Sequence, residues 1–271
     1  MKSKVKTMKI IVLFCFIMFI ISLGFVACNN HFGQKARIDL DFETIEFVQF
    51  DEPQNGDTIA VIETTLGDIR AVLYPEYSPN AVQNFIELAE SGYYDNTYVF
   101  HAEEGIYSAV GCPQKDGTLP DGYDKSRELV EMELNQNLWP FKGAICSMTT
   151  TVDQNLWDYL KGEATYYCGS RFSILNTIEF TDEVKEEIYS YTTDTKIPDA
   201  FVEHGGIPNF SQQVTVIGQT YEGFDVVEAL TNVEVEVGED GKSKIPVEDV
   251  MIKSVRIEEY TGETQKTKAE N

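Results

Sequence analysis

Short runs of apolar, β-branched residues, each cut by a turn residue, limit this chain to strands along most of its length. Ile59-Ala60-Val61-Ile62-Glu63-Thr64 and Ile69-Arg70-Ala71-Val72-Leu73-Tyr74 flank Leu66-Gly67-Asp68, which predicts a hairpin ended by Pro75. Val99-Phe100-His101, Gly143 to Ser147, Phe172 to Leu175, Val214 to Ile217 and Val250 to Ile257 read as further strands. Helical spacing is confined to a few stretches. Ser78-Pro79 predicts a helix start, with Val82, Phe85, Ile86 and Ala89 on one face and Gly92 as its stop. Thr181 begins a second stretch with a capping-box start, and Gly223 precedes a third, Phe224 to Leu230. Asp116 to Pro140 is polar and mostly loop. Many strands and two main helices predict a mostly β domain, a barrel or a sandwich.

Ahead of these strands the chain is of a different kind. Met1 to Lys9 is cationic, and the 17 residues from Ile10 to Val26 carry no charge, which is short for a membrane-spanning helix. Phe25-Val26-Ala27-Cys28 resembles the bacterial lipoprotein signal, with Phe25 where Leu is usual. That resemblance implies a signal peptide over 1–27, lipidation of Cys28, and export to the membrane surface. A simple membrane anchor and an ordinary cleaved signal are the alternatives. Residues 28–57 are polar and acidic, read as a tether, with an apolar alternation at Ile45, Phe47, Val48 and Phe50 of the kind that adds a strand.

Charge narrows the partners. The 271 residues carry 21 Lys+Arg against 45 Asp+Glu, a net of −24, and the four lysines of residues 1–27 make the remainder −28. Such a surface repels phosphate backbones, so no nucleic-acid partner is expected. It also keeps the body off an anionic membrane except through the lipid on Cys28. After Cys15 and Cys28, three cysteines remain, Cys112, Cys146 and Cys168, without CxxC spacing. Zinc is not expected, and the sequence does not say whether two of them pair.

Five segments in order resemble the cyclophilin-type peptidyl-prolyl isomerase family. They are Val61 to Glu76; Ser78-Pro79 through Gly92-Tyr93-Tyr94-Asp95 to Phe100-His101; Glu131 to Leu134 with Lys142 to Ile145; Gly169-Ser170-Arg171-Phe172-Ser173-Ile174; and Gly205-Gly206-Ile207-Pro208 through Gly218 to Val227. The resemblance covers roughly 58–258. It implies a closed eight-stranded antiparallel barrel capped by two helices over 58–260, a helical insertion near 181–204, and a polar tail over 261–271. It implies an isomerase of X–Pro bonds in exported proteins, using no metal or cofactor. Its chemistry is rotation about a bond with a barrier of about 18–20 kcal/mol, eased by a proline pocket and a cation near the prolyl nitrogen.

By family position the substrate groove comprises Phe100, His101, Ala102, Ile106, Tyr107, Ala109, Phe172, Ser173, Asn209, Phe210 and Val214. Here Ala102 stands at the family's catalytic Arg, Ala109 at its Gln, Ser173 at the Phe that floors the pocket, and Val214 at its His or Tyr. The frame matches while the site positions differ, so two functions are carried forward: an isomerase, and a peptide-binding or chaperone module with little turnover. Arg171, where the family has Gln, is the one cation in the matched site segments and the candidate replacement for the missing Arg; the competing expectation is pairing with a carboxylate. His101 is read as a packed barrel residue, and Phe172 as pointing into the core.

Overall fold

The computed structural model describes residues 38–150 and 166–262. The expected signal peptide, Cys28 and most of the polar tail lie outside them. The predicted hairpin is present: β1 (Thr58–Thr64) pairs antiparallel with β2 (Asp68–Leu73). Its turn closes when the Thr64 amide and hydroxyl both donate to the Gly67 carbonyl, at 2.8 and 2.7 Å. Gly67 has φ +138°, and a Cβ there would meet Val226 at 2.6 Å, so only glycine serves both the turn and the contact.

The next elements are helix α1 (Pro79–Glu90), then strands β3 (Thr97–Glu103), β4 (Tyr107–Cys112), β5 (Val130–Glu131), β6 (Ala144–Thr150) and β7 (Tyr167–Leu175). Two helices, α2 (Asp182–Ser190) and α3 (Lys196–His204), fill the expected insertion. Strand β8 (Thr215–Glu222), helix α4 (Phe224–Thr231), a small hairpin of β9 (Val235–Val237) and β10 (Lys244–Pro246), and strand β11 (Met251–Glu259) follow. The strand order is β4-β3-β11-β1-β2-β8-β6-β7, and β4 pairs with β7, so eight antiparallel strands close into a barrel. β5 adds two residues to β7 on the outside.

Alternation explains the core. Ile62, Ile69, Val110, Ile145, Phe172 and Ile217 point inward and form one cluster with Val82, Phe85 and Leu88 of α1 and Val227 and Leu230 of α4. Each such side chain, fully buried, contributes about 1.5–3 kcal/mol. Ser78 precedes α1 as expected, but its hydroxyl donates to the Val216 carbonyl at 2.9 Å and does not cap the helix. Glu133 does: its carboxylate accepts from the Ala81 amide at 2.9 Å and from Asn80. A carboxylate there also meets the positive end of the helix dipole. Thr181 caps α2 through the Val184 amide at 3.4 Å; the capping box is incomplete because its third helical position is Val184.

The strand expected from Ile45 to Phe50 is instead a 3-10 turn, Val48–Phe50. Ile45 is buried in a satellite cluster with Trp139, Phe141, Ala200 and Phe201, so this segment packs against α3. Gln49, also buried, donates to the Trp139 carbonyl at 2.9 Å and accepts from its amide at 2.6 Å. The three cysteines are free thiols, all buried.

Candidate functional site

Three neighbouring strands carry most of the expected groove positions. Ala109 of β4 lies opposite Ser173 of β7, Ser173 opposite Cys146 of β6, and Cys146 opposite Val216 of β8. Directly opposed residues project to the same face. This row of small side chains runs along the outside of the barrel, because the alternate residues Val110, Phe172 and Ile174 fill its interior. Phe172, one of the groove positions, is therefore corrected to the core: it is 1% exposed and meets Phe85 and Tyr94 edge-on at 5.3 Å. Side-chain alternation had indicated as much.

The row is covered. Tyr107 and Met148 pack against the cluster of Phe100, Ala109 and Cys112. Ile106, Tyr107, Phe210 and Val214 pack against the cluster that holds Cys146 and Val216. Tyr107 takes part in both; its ring stacks on His101 at 5.4 Å and meets Phe210 edge-on at 5.5 Å. Ala109 and Ser173 are left 1% and 3% exposed, and the Ser173 hydroxyl turns to the Cys146 carbonyl at 3.4 Å. Asn209 stays exposed beside this cover, its carbonyl accepting from the Gln213 side chain at 2.6 Å. Volume lost at Ala109 and Ser173 is thus regained by Tyr107 and its neighbours, as close packing requires.

Ala102 needs a correction. A bulge in β3 sets Val99 opposite Val110 and His101 opposite Ala109, leaving Phe100 as the extra residue. Ala102 then lies opposite Ser108, whose hydroxyl donates to the Leu230 carbonyl of α4 at 2.8 Å, and it is 1% exposed. Ala102 therefore faces inward, and the side chain next to Ala109 on the outer face is His101. His101 Nδ1 accepts from the Lys244 amide at 3.0 Å, and Nε2 is 3.8 Å from Glu103. Burial holds its pKa below 6.5, against the pull of Glu103. The ring is half-buried and lies against Tyr107.

Arg171 projects from β7 on the same face as Ser173, but its guanidinium is engaged. It donates to the Gly117 carbonyl at 3.0 Å and lies 3.8 Å from the Glu128 carboxylate. Glu128, in the polar stretch 116–140, gave no signal in the sequence. Its Oε1 accepts from the Ser170 amide at 2.8 Å, the Ser170 hydroxyl at 2.6 Å and Tyr123 at 3.1 Å. The carboxylate lies so close to the backbone that a Cβ on Gly169 would come within 2.0 Å of it. This fixes the loop bearing Gly117 and Glu128 onto β7 and holds Arg171 toward it.

Comparison with known proteins agrees with this architecture. The family model described as Cyclophilin type peptidyl-prolyl cis-trans isomerase/CLD matches residues 59–257. A Staphylococcus aureus protein named "Putative peptidyl-prolyl cis-trans isomerase" is 27% identical over 77% of this chain and 95% of its own length. A Streptococcus pyogenes protein named "Putative bifunctional phosphatase/peptidyl-prolyl cis-trans isomerase" is 28% identical over 79% of this chain; the match spans only 41% of that relative. Among solved structures, a Cryptosporidium parvum cyclophilin type isomerase is similar with a TM-score of 0.52 at 20% identity, covering 76% of this chain and 99% of that one. With a barrel closed in the expected order and a family model spanning it from β1 to β11, the chain belongs to the cyclophilin-type peptidyl-prolyl cis-trans isomerase family.

Proposed function

We propose that this protein is an exported cyclophilin, held at the membrane surface by a lipid on Cys28, that binds proline-containing segments of exported proteins and turns over their prolyl bonds weakly or not at all. The observation that carries the reading is the burial of Ala109 and Ser173, with Tyr107 packed on Ala109 between His101 and Phe210. Catalysis of this rotation needs a cation that acts in the twisted state and a pocket for the ring. Among the described residues the side chain beside Ala109 on the outer face is His101, and Arg171 is turned to Gly117 and Glu128. Loss of one preorganised electrostatic group costs about 10²–10³ in rate. Loss of such a group leaves ground-state binding intact. One Cryptosporidium parvum neighbour was crystallised in the presence of the dipeptide Ala-Pro, which supports a proline-containing peptide as the ligand class.

A protease-coupled assay on an X–Pro tetrapeptide tests turnover. The expected kcat/KM is at least about 10²-fold below that of the Staphylococcus aureus relative measured alongside. An equal value makes the protein an ordinary isomerase and removes the reading. If Arg171 does supply the cation, a residual rate will be lost in Arg171→Gln; an unchanged rate assigns it to the Glu128 contact alone. Intact-mass measurement of membrane-extracted protein tests the anchor, and an unmodified Cys28 would refute it.

A further inference from the structure

Tyr107 links the two ends of the outer row. The strands under that row run in the order β3-β4-β7-β6-β8. His101 stands on β3, Phe210 in the segment that leads into β8, and the Tyr107 ring meets both, at 5.4 and 5.5 Å. On β4, Tyr107 comes two residues before Ala109, so the two side chains share the outer face. Ala109 lies opposite His101 on one side and Ser173 on the other. A ring that reaches from His101 to Phe210 thus spans the row between them, where Ala109 and Ser173 are 1% and 3% exposed.

The ring itself is only half-buried. Phe172, 1% exposed between Phe85 and Tyr94, is fixed by neighbours on every side. A half-exposed side chain at the first position of a strand changes rotamer far more readily. Tyr107 is therefore a movable cover over small side chains that cannot fill the space alone.

We propose that Tyr107 gates the groove and sets its specificity: its ring occupies the space that a bound proline ring takes, and a proline segment is accepted only by molecules in which that ring has swung out. The proposal rests on the reading of the outer row as the peptide groove. Apparent affinity is then lowered by the fraction of molecules that are open. Two aromatic contacts of ordinary strength favour the closed position by about ten- to hundredfold. Selectivity follows from the same exchange. A segment with proline brings a ring to replace the one displaced, whereas a segment with alanine leaves a void over Ala109 and Ser173.

The test is amide and aromatic NMR on the full chain after Cys28, titrated with N-acetyl-Ala-Pro-Ala amide and with N-acetyl-Ala-Ala-Ala amide. Tyr107→Ala should bind the proline peptide at least about tenfold more tightly than the parent. Tyr107→Met, whose flexible side chain packs into irregular gaps, should also tighten binding and keeps the test open where the alanine variant misfolds. Tyr107→Phe, which retains the ring, should gain less than either, and Tyr191→Ser, remote and 78% exposed, should leave affinity unchanged. The alanine peptide should gain nothing in any variant. In the parent, saturation with the proline peptide should abolish the nuclear Overhauser contact between the His101 and Tyr107 rings. No tighter binding in either the alanine or the methionine variant, an equal gain for the alanine peptide, or a ring contact that survives saturation would overturn the gate. Turnover is read separately in the same samples: an ordinary rate in the parent removes the weak-turnover reading whatever the affinities, and unchanged affinities remove the gate whatever the rate.

Discussion

At His101 three demands meet on one ring. Nδ1 must stay unprotonated to accept the Lys244 amide, one face must lie against Tyr107, and Nε2 has no hydrogen-bond partner. The titratable groups around it are Glu103, Lys244 and Asp240; burial and Lys244 lower its pKa, while Glu103 and Asp240 raise it, and the net direction is down. The folded protein therefore binds this proton less readily than the unfolded chain does. Stability from this residue is whole above the unfolded value near 6.5 and is lost as pH falls below it, until the folded ring is itself protonated. His101→Gln is expected to flatten the difference in urea midpoint between pH 7.5 and pH 5. A variant whose midpoint falls as steeply as the parent's would assign that loss to the carboxylates instead.

Elements were legible where local chemistry decides them and obscure where tertiary packing does. The hairpin around Gly67, the helix after Ser78 and the strands at 143–147 and 214–217 could be read from period and turn residues alone. The segment Ile45 to Phe50 could not, because its alternation suits either a strand or a turn, and only contact with Trp139 and Phe201 selects the turn. The β3 bulge was equally silent. One extra residue leaves no compositional trace, yet it exchanges which of His101 and Ala102 faces outward. The helix cap from Glu133 and the Glu128 network come from a loop that sequence marks only as polar. The bulge has a measurable consequence: Ala102→Arg, the obvious repair of the family motif, should drive a guanidinium inward beside Ser108. We expect a loss of about 3 kcal/mol in chemical denaturation, on the scale of an uncompensated buried charge, and no gain in turnover. A stable, faster Ala102→Arg protein would mean that the strand register is different in solution.

The molecule as a whole carries its charge unevenly matched, 45 acids against 21 bases, and among the described residues most ion pairs are exposed contacts such as Arg256–Glu63 and Lys115–Asp249. Exposed pairs of this kind contribute little, so general repulsion dominates. Raising salt from about 10 mM to about 150 mM shortens the screening length from about 30 to about 8 Å. Calorimetry should then show Tm rising by about 2–4 °C, the shift that roughly 1 kcal/mol produces in a chain of this size. A constant or falling Tm would mean that the ion pairs outweigh the repulsion. The closure of β4 onto β7 bears on a different hazard. An open sheet presents unsatisfied amides and carbonyls along its outermost strands, and half-folded polypeptides add to such margins as further strands. Here each of the eight barrel strands has a neighbour on both sides. The eight barrel strands therefore offer half-folded polypeptides no free margin on which to add a strand.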